Sequence, residues 1–96
     1  SVPVRDGNTI ARTLVSERLA ACVNITPVQS VYRWQGRVAE EEEVLLIMKT
    51  QASRIDALVA RIPQIHPNTV PEVVVLSSEA VLPSYLAWAV AETAPG

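Results

Sequence analysis

The 96-residue chain is poor in cysteine, in aromatic residues and in positive charge, and each shortage excludes a class of protein. With one cysteine, Cys22, it can form neither an internal disulfide nor a cysteine-rich zinc site. Aromatic residues make up 4% of the chain, which is too few for a row of base-stacking platforms. Eight basic residues against ten acidic ones give a net charge of −2, whereas proteins that bind the nucleic-acid backbone normally carry a basic face.

Long hydrophobic runs and the pattern of a secretory leader are also missing. The longest apolar runs, at 44–48 and 73–76, fall far short of the roughly 20 residues that a membrane helix needs. No basic segment followed by an apolar one opens the sequence, so we expect no signal peptide and a cytoplasmic location. Hydrophobic residues still make up 49% of the chain, which is enough for a core, and the length predicts a single domain over residues 1–96.

Three segments have the apolar spacing of amphipathic helices. The first covers residues 9–21 and follows a turn and cap signal that begins at Asp6. The second covers residues 54–65, with Ser53 as its cap and with Pro63 expected to end or kink it. The third covers residues 84–93, with Pro83 in its first turn.

Other segments are rich in β-branched residues, as strands are. Residues 22–34 and 37–48 predict a long hairpin that turns at Gln35-Gly36, where glycine accepts a positive φ. Pro27 cannot donate to a sheet ladder, so we expect an edge position or a bulge there. Residues 72–76 predict a further strand, and residues 1–4 leave room for a short one.

This order predicts an α+β fold, the ferredoxin-like βαββαβ sandwich with a C-terminal helix. The first strand is shortened or missing, and the β2–β3 hairpin is long. Residues 44–48 and 73–76 are apolar at odd and even positions, whereas one face of a two-layer sandwich should be polar. We therefore expect another chain to cover the second face, so the protein should oligomerise.

Polar residues offer few candidates for a site. The run of four glutamates at 40–43 is a cation site or a solvated hairpin edge. Successive side chains of a strand point to opposite faces, so the four carboxylates cannot converge on one ion, which favours the solvated edge. His66, the one histidine, is a metal ligand, a proton-transfer group or a structural loop residue. Cys22 is a buried small hydrophobe or a thiolate for a soft metal ion. Lys49, the one lysine, either binds an anion or a carboxylate such as that of Glu72, or extends into solvent at the end of its strand.

Aromatic residues come in two pairs. Tyr32 and Trp34 share one strand face and are predicted to line a cleft or a subunit interface. Tyr85 and Trp88 lie three apart on the third helix, where core or interface packing is expected. The sequence has no P-loop, dinucleotide fingerprint, G-x-S-x-G elbow or H-E-x-x-H helix, and no nucleophile–base pair at a recognisable spacing. It therefore predicts a protein that is not an enzyme.

Five ordered blocks of this sequence resemble the divalent-cation tolerance (CutA) family. The blocks are residues 19–25 (LAACVNI), 30–36 (SVYRWQG), 43–50 (EVLLIMKT), 66–72 (His66-Pro67 with Val70-Pro71-Glu72) and 83–88 (PSYLAW). The resemblance implies a ferredoxin-like fold and a homotrimer in which the long hairpins pair between subunits. It also implies copper(II) or another divalent cation as the ligand, and no settled enzymatic activity.

The sequence departs from the family pattern at three places. The first strand is short, Asn68 replaces the tyrosine of the family's His-Pro-Tyr loop, and Ile65 stands where some members have a second histidine. His66 is therefore the one position that carries over from the family's copper-binding residues, and Cys22 is a weaker metal candidate. Our first hypothesis is a trimeric divalent-cation tolerance protein, with Glu72, Lys49 and Cys22 assisting His66. The alternative is a trimeric small-molecule sensor with clefts between subunits, lined by Trp34, Lys49 and Glu72.

Overall fold

A computed structural model describes residues 2–68 and 70–95 and confirms the mixed α+β class. Its strands and helices, in chain order, are β1 (Val2–Pro3), α1 (Gly7–Ser16), β2 (Cys22–Trp34), β3 (Arg37–Lys49), α2 (Ile55–Ile65) and α3 (Pro83–Glu92). Short 3-10 turns at Val4–Asp6 and Ala52–Arg54 precede α1 and α2. No helix in these described ranges is long and apolar enough to cross a membrane.

The predicted hairpin dominates the sheet, whose strand order is β1-β3-β2 with antiparallel pairing throughout. Its register runs unbroken from Cys22 opposite Lys49 to Trp34 opposite Arg37. Gln35 and Gly36 have φ values of 50° and 77°, the two positive values that a type I′ turn requires. Because β2 lies at the edge of the sheet, Pro27 fits there without a bulge.

The predicted strand at 72–76 does not form within a single chain. This segment has no regular secondary structure and pairs with none of the described strands, and Leu76 is 86% exposed. The segment is apolar, as the strand prediction required. A strand also needs the edge of a neighbouring strand to pair with, and β1 is too short to provide one. Among the described residues the sheet therefore has three strands.

The ends of the helices differ from their predicted bounds. α1 begins at Gly7 and ends at Ser16, because Arg18 takes a left-handed φ of 60° and the Leu19 N–H turns back to the Leu14 carbonyl at 3.0 Å. The prediction that Ser53 caps the second helix was wrong, since Ser53 lies in a 3-10 turn. Pro63 does not end α2, which continues to Ile65. α3 runs from Pro83 to Glu92, so it begins and ends one residue before its predicted bounds.

Helices α1 and α2 cover one face of the sheet and form the core with it. Leu14 is completely buried at its centre, and the other buried members of this cluster are Val2, Ile10, Leu19, Ala20, Val44, Leu58 and Ile62. Gly7 lies so close to the sheet that a Cβ placed there would approach Val44 Cγ2 to 2.5 Å. The first turn of α1 therefore rests directly on β3.

The opposite face of β3 is apolar and uncovered, as its sequence predicted. Leu46 and Met48 pack against the core, whereas Leu45 and Ile47 are 38% and 48% exposed on the other face. The glutamate run is not uniformly solvated, since Glu43 is only 6% exposed while Glu40–Glu42 are exposed. The expectation of a fully solvated acidic edge was wrong at Glu43, which sits next to buried Val44, opposite Pro3 and Val28.

Candidate functional site

A cleft of about 620 Å³ lies at the end of the sheet where β3 stops. β3, α2, the segment 72–76 and α3 form its walls, which are mainly aliphatic. Three of the candidate polar residues, Lys49, His66 and Glu72, line this one cleft, together with Tyr85. The structure thus places in one cavity the residues that the sequence left scattered over 24 positions.

His66 follows the last turn of α2 and is half-buried. Its backbone N–H donates to the Ile62 carbonyl at 2.9 Å, which fixes the start of the loop. Its ring Nδ1 accepts a hydrogen bond from the Asn68 backbone N–H at 3.0 Å. Because an accepting nitrogen carries no proton, the neutral ring has its proton on Nε2. The local turn therefore selects one tautomer of the imidazole.

Lys49 ends β3 and is half-buried in the cleft wall. Its Nζ donates to the side-chain carbonyl oxygen of Asn24, a diagonal neighbour on β2. The expected carboxylate partner is not engaged, because no ion pair within 4.0 Å joins Lys49 to Glu72 in the described part of the chain. Glu72 is exposed at the start of the segment 72–76. Asn24 was not among the sequence candidates, and its strand register with Lys49 is the signal that identifies it.

Cys22 does not join this group. It opens β2 opposite Lys49, is half-buried as a free thiol, and lies outside the cleft lining. Within residues 2–68 and 70–95, no cluster of three or more His, Cys, Asp or Glu side chains is arranged to hold a metal ion. The described residues of one chain therefore offer a divalent ion isolated ligands and no chelating set.

Tyr32 and Trp34 lie at the far end of the hairpin from the cleft. Hydrogen bonding to Glu41 raises the pKa of Tyr32, since the carboxylate accepts from the neutral phenol and opposes its ionisation. Trp34 is 47% exposed beside the turn. Neither residue lines the cleft of its own chain. That they line a cleft or interface between subunits would require contacts with another chain, and it stays a prediction.

The aromatic pair on α3 is in mutual contact and exposed. The rings of Tyr85 and Trp88 lie 5.5 Å apart at a tilt of 44°, and both residues are about two-fifths exposed, at 38% and 44%. Neither ring is therefore packed in the core of the described chain, and packing at an interface stays a prediction. Tyr85 contributes to the cleft lining and Trp88 does not.

Comparison with known proteins relates this sequence and fold to one family. Residues 3–92 match the family described as CutA1 divalent ion tolerance protein. The divalent-cation tolerance protein CutA of Thermus thermophilus is 51% identical over 81 residues, which cover 83% of this chain and 79% of that protein. Protein CutA of mouse is 46% identical over 80 residues, and this chain spans less than half of its length, 45%.

Solved structures show the same fold. A structure described as PII-like protein CutA from Nostoc sp. PCC 7120, in apo form, superposes with a TM-score of 0.93 at 42% identity and covers 97% of this chain and 91% of that one. The divalent cation tolerance protein of Thermus thermophilus gives a TM-score of 0.91 at 46% identity, covering 97% and 92% of the two chains. The agreement extends over nearly the whole of this chain.

Proposed function

The chain belongs to the CutA1 divalent ion tolerance protein family, and from this premise we propose that it contributes to divalent-cation tolerance by binding the metal ion directly, with copper(II) as the first candidate. The observation that supports direct binding is the position of His66 in the wall of the cleft. Imidazole is the commonest protein ligand for such ions, and affinities along the divalent series peak at copper.

Binding at His66 is expected to be weak. The described side chains of one protomer supply no group of three ligands, so water or a second chain completes the coordination. A metal on Nδ1 would displace the Asn68 N–H, and a metal on Nε2 would move the proton to Nδ1 and break the same hydrogen bond. Loss of one such bond costs about 1 kcal/mol, or roughly fivefold in affinity.

We also propose that the protein assembles as a homotrimer. Support comes from the apolar surface that a single chain leaves uncovered on the hairpin, on the segment 72–76 and on α3. Its large exposed members include Val31, Trp34, Val38, Ile47, Val74, Leu76 and Trp88. Monomeric proteins rarely expose apolar area on this scale, whereas subunit interfaces are rich in aromatic and aliphatic residues.

A second candidate function is the binding of a small organic anion between subunits. The PII-like description of the Nostoc relative and the cleft itself favour it. Lys49 would supply the positive charge and Tyr85 a hydroxyl group, while the aliphatic wall would cover the apolar part of the ligand. A cytoplasmic location and the lack of catalytic activity stay predictions from the sequence.

Titration of the assembled protein separates the two candidates. Copper(II), zinc(II) and a panel of nucleotides and carboxylates are each titrated into the wild type, His66→Ala and Lys49→Met. Copper binding that is weakened in His66→Ala and retained in Lys49→Met supports metal binding at His66. Saturable anion binding that is lost in Lys49→Met supports the sensor function instead.

A further inference from the structure

Glu43 is a buried carboxylate whose charge has no partner among the described residues. It is 6% exposed, whereas the three glutamates before it are exposed. Its carboxylate makes no hydrogen bond and no ion pair with any residue in the described ranges. A buried ionised carboxylate is unfavourable unless a cation or a hydrogen-bond donor accompanies it. The burial of Glu43 therefore points to a cationic partner from outside these residues.

A second carboxylate lies beside it on the same face of the hairpin. Glu41 is two residues before Glu43 on β3, so the two side chains share one face and their Cα atoms are about 7 Å apart. Glu41 is opposite Ser30 on β2, and the next β2 residue on that face is Tyr32, whose phenol donates a hydrogen bond to the Glu41 carboxylate. We refer to Glu41, Glu43 and Tyr32 as the acidic patch.

The composition of the acidic patch selects one class of cation. In the described ranges no third His, Cys, Asp or Glu side chain joins the two carboxylates to form a metal site. An ammonium group needs less, because one carboxylate and the face of an aromatic ring satisfy it. Tyr32 supplies such a ring, and Ala39, directly opposite it in the ladder, is too small to cover it. The acidic patch therefore suits an organic ammonium ion better than a metal ion.

We propose that the acidic patch binds an aliphatic diamine or polyamine, with one ammonium group on Glu43 and the next on Glu41 against the ring of Tyr32. The spacing supports two charges on one ligand, since a diamine with four carbon atoms between its nitrogen atoms spans about the distance between the two strand positions. None of the three residues lines the cleft that contains His66. The inference is therefore independent of metal binding at His66.

Matched glutamate variants test the site. 1,4-Diaminobutane is titrated into the assembled protein by isothermal titration calorimetry at low ionic strength, because salt screens exposed charges. The wild type should bind it saturably, and both Glu43→Gln and Glu41→Gln should bind at least about tenfold more weakly. Glu42→Gln removes the same charge from the opposite face of β3 and should stay within about twofold of the wild type.

Two further comparisons test the class of ligand and the role of the ring. Butylamine, which carries one ammonium group, should bind at least about tenfold more weakly than the diamine. Tyr32→Leu should weaken binding of the diamine several-fold, and Tyr32→Phe should retain most of it because the ring remains. Magnesium chloride, added at the same ionic strength as a sodium chloride control, should not displace the diamine beyond the effect of that control.

Three outcomes would overturn the proposal. Equal weakening in all three glutamate variants would mean that the acidic run attracts cations diffusely. Displacement of the diamine by magnesium at equal concentration would identify a metal site. Absence of binding to the wild type, together with a sedimentation mass that changes in Glu43→Gln, would assign the missing cation to a second copy of the chain. Circular dichroism checks folding, and Glu41→Gln alone carries the test if Glu43→Gln does not fold.

Discussion

The Nδ1 atom of His66 accepts a hydrogen bond from the backbone N–H of Asn68 at 3.0 Å, so the loop after α2 orients the ring through its own backbone. This contact couples three properties of the site. It sets the tautomer of the neutral ring, it competes with a metal ion for the imidazole, and it is lost on protonation because imidazolium has no acceptor nitrogen.

The tautomer can be observed directly. In the apo protein at neutral pH, the ring nitrogens should report a bare Nδ1 and a protonated Nε2 in ¹⁵N NMR spectra, since Nδ1 is the acceptor. On acidification the Asn68 amide resonance should shift together with the ring signals. A ring with its proton on Nδ1, or an Asn68 amide that ignores protonation of the ring, would contradict this arrangement.

Trp34→Ala should weaken assembly more than it disturbs the single-chain fold. Trp34 is 47% exposed in one protomer, so truncation removes little intramolecular packing, whereas loss of a buried interface anchor costs about 2–4 kcal/mol. Sedimentation equilibrium should give about three times 10.4 kDa for the wild type and a concentration-dependent mass for the variant. Arg33→Ala, one residue away on the opposite strand face, is the control and should stay assembled. A wild type that stays monomeric at micromolar concentration would contradict the trimer.

Gly7→Ala should destabilise the fold by about 1–3 kcal/mol, the usual cost of overpacking. The added Cβ would meet Val44 Cγ2 at 2.5 Å, so α1 or β3 has to move. The neighbouring Asn8 is exposed, so Asn8→Ala should change the free energy of unfolding little. Urea unfolding of both variants checks the contrast, and equal midpoints would mean that the first turn of α1 does not press on the sheet.

The ion pair between Glu17 and Arg61 should add an acid-sensitive term to stability. Arg61 donates from Nε and Nη2 to the two carboxylate oxygens of Glu17 at 2.8 and 2.9 Å, and this bonding lowers the pKa of Glu17. A carboxyl group whose pKa is lower in the folded state stabilises the fold at pH values above its unfolded-state pKa, about 4.3. This contribution to stability is lost as the pH falls through the folded-state pKa.

Glu17→Gln should therefore be less stable than the wild type at neutral pH, and the two should converge in acid, once Glu17 is protonated in the folded protein as well. The effect should be small and sensitive to salt, because both side chains are partly exposed. Glu92→Gln is the matched control, since its partner Arg18 lies 4.0 Å away with both side chains half-exposed. Unfolding midpoints as a function of pH measure the difference, and a gap that persists in acid would contradict it.

The sequence predicted local structure better than it predicted pairing. The hairpin turn followed from Gln35-Gly36, and the uncovered face of β3 followed from its continuous apolar run. The segment 72–76 has the composition of a strand, but pairing depends on the edge of a neighbouring strand, which composition does not encode. Likewise the end of α1 depends on a left-handed Arg18, a residue with no intrinsic preference for that conformation.

The site shows the same limit. His66, Lys49 and Glu72 were individual candidates, and only the packing of α2, β3 and the segment 72–76 places them in one cleft. Periodicity within the strands could not show that Asn24 would bind Lys49, because that contact depends on the register between β2 and β3. It equally could not show that Cys22 would lie outside the cleft lining.

The most direct test of metal binding through His66 is copper(II) binding by the assembled protein. It is measured by isothermal titration calorimetry for the wild type, His66→Ala and His66→Gln. We predict weak, saturable binding at neutral pH that falls on acidification, because a protonated imidazole has no lone pair to offer. Both variants should bind copper at least about tenfold more weakly while keeping the mass and thermal stability of the wild type. Copper binding of equal affinity in the wild type and in both variants would contradict the account.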